Sequence, residues 1–157
     1  MGRLQLVAEL HGQQVREARQ RFFDQGERPD GLVDPLIHRS WERCLRFGLA
    51  TAGPTHGSDA LDRMALRTEQ ERNRFLLTHG RPIMEHVFEQ IRESGSMVIL
   101  ADANGLLLET VGDADFVDRA DRVSLSAGAS WDETERGTNA IGTALDDEAP
   151  TAILGQE

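Results

Sequence analysis

The stretch SMVILADANGLLLETV, residues 96–111, decides the fold. Its first half has the period of an extended chain: Val98 and Leu100 fall on one face, and Met97, Ile99 and Ala101 on the other. A strand that is apolar on both faces is expected to be covered on both and to lie centrally in its sheet. DANG at 102–105 predicts a tight turn with Asn104 and Gly105 suited to positive φ, and LLLETV returns as a second strand. Beyond it, residues 113–122 read as an acidic short helix or loop and VSL at 123–125 as a brief third strand. The architecture that follows is α+β.

Upstream of Gly95 the period is helical. Leu4, Val7, Leu10, Val15, Ala18 and Phe22 recur at helical spacing, interrupted at Gly12 and ended by Gly26 and Pro29. Asp34 as N-cap and Pro35 in the first turn announce a second helix, with Ile37, Trp41, Cys44 and Leu45 on one face and Gly48 as a left-handed cap. LATAGPTHGS at 49–58 is a turn-rich connector, after which Ser58 or Asp59 can cap a long helical stretch. Leu61, Met64, Ala65, Thr68, Phe75 and Leu76 mark its inner side, HGRP at 79–82 is expected to break or kink it, and Ile83, Val87, Phe88 and Ile91 resume the pattern. That apolar stripe exceeds what one small sheet must cover, so a homodimer through the helices around Leu61 to Ile91 is expected, the alternative being that the stripe simply packs on that sheet.

The 157 residues, 39% of them hydrophobic, suffice for a core without disulfides. Cys44 is the only cysteine and is expected to be a small core residue; the five histidines lack zinc-site spacing, so neither a metal nor a cofactor is expected. No apolar run in the first thirty residues would serve as a signal peptide or membrane span, which predicts a cytoplasmic protein. Residues 1–94 balance fourteen Arg against fourteen acids, whereas residues 95–157 hold three Arg against thirteen acids and so carry the whole net charge of −10. Such a surface repels phosphate, and no direct nucleic-acid binding is expected.

GASWDETERGTNAIGTAL, residues 128–145, carries the functional signal. Ser130 and Glu133 have the spacing of a capping box, Thr138 or Asn139 can cap a second short helix, and Gly142 allows close approach to its backbone. A helix start with free N–H groups beside hydroxyl and amide side chains can hold a polar ligand, with Trp131 as an apolar wall. Turn glycines, a core tryptophan and plain caps would account for the same residues. Asp146, Asp147 and Glu148 oppose the helix dipole, so that end is expected in water. The row Arg39, Arg43, Arg46, interleaved with Glu42, reads as a solvated face. Sharper chemistry fails: Thr143 stands where a phosphate-binding loop needs lysine, DANG lacks the other calcium ligands, and Cys44 and His38 lie on different helix faces.

Ile37, Ser40, Trp41, Arg43 and Cys44 in IHRSWERCLRFGL, together with Trp131, Glu133 and the Gly137–Thr143 run GTNAIGT, resemble the N-terminal sensory region of AcoR-like (acetoin catabolism regulator) activators. These are bacterial sigma-54-dependent transcription factors, and the resemblance extends from about Pro35 onward. It implies a GAF-like antiparallel sheet, incomplete in this chain and preceded by N-terminal helices, with helices on one face and a small-molecule pocket on the other. The implied organisation is an N-terminal helical segment at 1–58, a long helical segment at 59–94 leading into the GAF domain, and the N-terminal part of a GAF-like sensory domain at 95–157. Further strands of the sheet would follow in the family, so the strand at 96–101 is expected to lack a pairing partner here and to leave an open edge.

The implied function is regulatory: a ligand-sensing domain whose partners are a small-molecule effector and the ATPase and DNA-binding domains absent from this chain. The candidate ligand-binding residues are Trp131, Thr138, Asn139, Ile141, Gly142 and Thr143. The alternative is a protein–protein interaction module with a vestigial pocket, favoured by the acidic 95–157 surface. An enzyme is not expected, because GAF-type methionine sulfoxide reductases need cysteines within the domain, whereas Cys44 precedes it.

Overall fold

The computed structural model describes residues 3–29, 31–49 and 60–154. The element order is α1 (Arg3–Gln25), α2 (Pro35–Arg46), α3 (Arg63–Arg72), α4 (Arg74–Ile91), β1 (Met97–Ala101), β2 (Leu107–Gly112), α5 (Ala114–Asp121), α6 (Glu133–Arg136) and α7 (Ala140–Asp146). Helices precede an antiparallel two-stranded sheet, the α+β arrangement that the sequence predicts. The chain divides into two compact units, Met1–Thr55 with Asp132–Glu157, and His56–Trp131.

In the first unit α1 runs unbroken through Gly12, because one helical glycine costs only about 1 kcal/mol and tertiary packing outweighs it. Gly26 at φ +71° follows its end. Asp34 caps α2 by accepting from the Leu36 N–H, with Pro35 opening the helix. Val15, Phe22, Ile37 and Trp41 form the core, and Phe23, Leu32, Val33 and Ile153 pack on it. Trp41 is fully buried, its ring 5.7 Å from that of Phe22 and 6.4 Å from that of Phe23.

In the second unit the helical stretch divides at Asn73, and not at HGRP: α4 continues through Pro82. A proline withdraws one backbone bond, but at Asn73 (φ −94°, ψ 20°) the chain itself leaves helical geometry. Asp62 caps α3, accepting from Met64 and Ala65; the connector at 50–58 and the expected caps Ser58 and Asp59 lie outside the described residues. α4 lays Leu77 and Met84 on the hairpin, and Gly80 brings its backbone against Leu100.

β1 pairs with β2, so it has a partner, while its other edge has none among the described residues. Its residues are all half-buried, which corrects the expectation of a central strand covered on both faces. The turn also differs from expectation. Only Gly105 takes positive φ (+76°), and Asp102 organises the bend by accepting from the Asn104 and Leu106 N–H groups. The third strand at 123–125 does not form. Residues 128–131 take that role, with Leu107 N–H donating to Ala129, Gly128 N–H to Leu107 and Trp131 N–H to Gly105, around a bridge between Leu106 and Ser130.

Candidate functional site

Two sequence motifs about ninety residues apart meet in the first unit. α2 is amphipathic, and Ile37, Ser40, Trp41 and Cys44 occupy its buried face. Ser40 is polar at 0% exposure, so it requires a partner. That partner is Glu133, on the one-turn helix α6 and itself 1% exposed. Ser40 and Thr143 both donate their hydroxyls to Glu133 Oε1, the latter at 2.6 Å. Arg43 clamps the same carboxylate, Nε at 2.5 Å from Oε2 and Nη2 at 3.2 Å from Oε1. Because Ser40 has given its single proton to Glu133, the Thr138 hydroxyl, 2.7 Å away, donates to Ser40. Cys44 Sγ lies 3.7 Å from Thr138 Oγ1, and burial pushes its thiol pKa up.

Glu133 is therefore no capping-box residue. Asp132 caps α6 by accepting from the Thr134 N–H. The S-x-x-E spacing gave way because four donors bind the Glu133 carboxylate more strongly than one local N–H could. At the end of α7 Asp146 and Glu148 are exposed as expected, but Asp147, with its side chain 8% exposed, accepts from Arg43 Nη2 at 2.9 Å and from Arg39 Nε at 3.0 Å. The expected solvated face holds at Arg39 and Arg46, which are exposed, and is corrected at Arg43, whose side chain is 16% exposed and tied to Glu133 and Asp147.

Burial alone would raise the Glu133 carboxyl, but hydrogen bonds from Arg43, Ser40 and Thr143 outweigh it and hold the group below its ordinary 4.5. At Asp147 burial is likewise outweighed, by Arg43 and Arg39. Asp146 moves upward through burial and the neighbouring Glu133. The bond to Glu133 raises the Arg43 guanidinium further above its already high range. Glu133 and Asp147 hold protons less tightly folded than unfolded, so their stabilisation is complete above the unfolded pKa and is lost as pH falls through the folded one. Melting temperature is expected to fall as pH drops below about 4. Glu133→Gln should flatten that fall; a melting temperature constant from about pH 6 to about pH 3 would contradict the ion-pair assignment.

Of the predicted ligand residues, the structure places Thr138, Asn139, Ile141, Gly142 and Thr143 together at the start of α7 in the first unit. Asn139 is the cap, its Oδ1 accepting from the Ile141 and Gly142 N–H groups at 3.0 and 2.8 Å, and its own N–H donates to Thr143 Oγ1 at 3.3 Å. Trp131 belongs to the second unit, where its indole N–H donates to the Ser124 carbonyl at 2.9 Å. Sequence reasoning missed Ser40, Arg43 and Glu133 as a set. The one local signal was Ser40 on the same helix face as Ile37, Trp41 and Cys44. Among the described residues no group of three or more His, Cys, Asp or Glu could hold a metal ion, and no helix is long and apolar enough to cross a membrane.

What this network defines is a unit whose second helix, α2, is tied by a buried ion pair to α6, just ahead of the Gly137–Asn139 turn that opens α7. The chain belongs to the family of MimR N-terminal domains, whose model matches residues 12–157. It is 34% identical over 139 residues to the acetoin dehydrogenase operon transcriptional activator AcoR of Bacillus subtilis (strain 168), covering 87% of this chain and 22% of that protein. It is 29% identical over 144 residues to the propane 2-monooxygenase operon transcriptional activator MimR of Mycolicibacterium goodii, covering 91% and 23%. It is 33% identical over 115 residues to the acetoin catabolism regulatory protein of Cupriavidus necator, covering 71% and 17%. The chain thus spans roughly a fifth of the length of these curated relatives, and the AcoR-like resemblance carried by its motifs is borne out. No solved structure matches it.

Proposed function

We propose that this chain is the N-terminal regulatory domain of a bacterial sigma-54-dependent transcriptional activator: a cytoplasmic, non-catalytic, GAF-like module that binds a small effector and controls an ATPase domain elsewhere in the polypeptide. The observation that carries this reading is the family match over residues 12–157, with relatives named as operon transcriptional activators. Two of those relatives are named for acetoin metabolism, so small hydroxyketones are the first effector class to test. Thr138, Asn139, Ile141, Gly142 and Thr143, all in the first unit, are the proposed contact residues.

The test is a thermal shift of the 157-residue chain against acetoin, dihydroxyacetone and short alcohols. A ligand at a hundred times its dissociation constant adds about 2.7 kcal/mol, which raises the melting temperature by about 5–10 °C in a domain of this size. No shift with any of these compounds at millimolar concentration counts against the sensor. It would favour the second reading, a protein-interaction module. That reading draws support from the α7 amides, which Asn139 already satisfies, and from Thr138 and Thr143, whose hydroxyls are engaged within the chain.

A further inference from the structure

α4 carries two apolar stripes, and the sheet uses one of them. Leu77 and Met84 are buried against the hairpin, with Phe88 and Ile91 half-buried in line. Off that line, Phe75, Leu76, Ile83 and Val87 are 78%, 38%, 65% and 41% exposed, and Met64 on α3 is 73% exposed. His79, stacked on Phe75 at 4.3 Å, and His86 fill the positions between them. Phe75, His79, Ile83, His86 and Gln90 then follow each other at steps of four, four, three and four, the spacing of a helix-pairing seam.

We propose that this seam is where a second copy of the chain docks, its α4 running parallel to the first about a two-fold axis. Area is the first argument. The exposed apolar surface of these five side chains is on the order of 500 Å² per copy. Two copies together would bury about 1,000 Å², the least that a specific interface needs. Charge is the second, and it selects the direction. Glu85 and Glu89 line one flank of the seam, while Leu76 and Val87 line the other. An antiparallel pair would bring the two acidic flanks together, whereas a parallel pair sets each acidic flank beside the partner's Leu76 and Val87 and removes the repulsion. The symmetric, self-matching character of a two-fold interface requires nothing beyond this one surface.

Sedimentation equilibrium of the full chain from about 1 μM to about 1 mM should show the mass rising from 17.4 kDa toward twice that value. Ile83→Glu, at a position already in water, should leave the circular-dichroism melt unchanged and weaken association about tenfold or more. Direction is read by disulfide trapping under copper–phenanthroline: Phe75→Cys and His86→Cys should each cross-link to its own copy, because in a parallel pair every seam position faces itself. Buried Cys44 serves as the internal control. A mass of 17.4 kDa at every concentration overturns the proposal. So does a dimer indifferent to Ile83→Glu, which would point to the open edge of β1, and so does cross-linking at one position or neither, which an antiparallel pair would give. None of these outcomes depends on the effector.

Discussion

Replacing Trp41 with alanine should destabilise the first unit by about 3–5 kcal/mol, the range for removing a fully enclosed aromatic side chain. Trp41 is 0% exposed, sits between Phe22 and Phe23 of α1, and shares its cluster with Ile37 and Val15. No small rearrangement can refill an indole-sized void between two helices. The melting temperature, followed by circular dichroism at 222 nm, should fall by about 10 °C or more. Trp41→Phe separates volume from hydrogen bonding. Trp41 Nε1 has no hydrogen-bond partner among the described residues, so phenylalanine gives up no polar contact there and should cost about 1–2 kcal/mol. A loss of comparable size for both variants would mean that the indole N–H is engaged after all.

Arg43→Ala is expected to cost a further large amount, about 3–5 kcal/mol, for a different reason. The lost guanidinium leaves the Glu133 carboxylate, whose side chain is wholly buried, with only the Ser40 and Thr143 hydroxyls to offset its charge. Removing one member of a buried pair is costly because the other is stranded. The control follows from that argument: Arg43→Ala with Glu133→Gln, which removes the stranded charge while keeping its shape, should recover about 1–2 kcal/mol of the loss. If the two substitutions simply add, the pair is not a unit and the clasp between α2 and the α6–α7 segment is not electrostatic. Asp147 is a milder case, since Arg39 still binds it when Arg43 is gone.

These two residues differ in how far the sequence disclosed them. Trp41 is legible from helical period alone, as the apolar neighbour of Ile37 and Cys44 on a helix announced by Asp34 and Pro35. The hairpin is legible in the same way, from alternation on either side of DANG, and so is the choice of Asn139 as a cap. The candidate site is legible only in part. The family motif marks Ser40, Arg43, Glu133, Thr138 and Thr143 as two groups, but nothing in either stretch says that one binds the other.

Local signals therefore determined which segments are helix and strand and which faces are apolar, because capping, φ preference and periodic burial act over a few residues. Tertiary structure alone decided that Glu133 leaves its local capping role, that Asp147 turns inward, and that residues 128–131 and not 123–125 join the hairpin. The physical reason is common to all three. A buried charge or an unpaired strand edge is satisfied by whichever donor the fold brings to it, and when that donor lies ninety residues away no local pattern can name it.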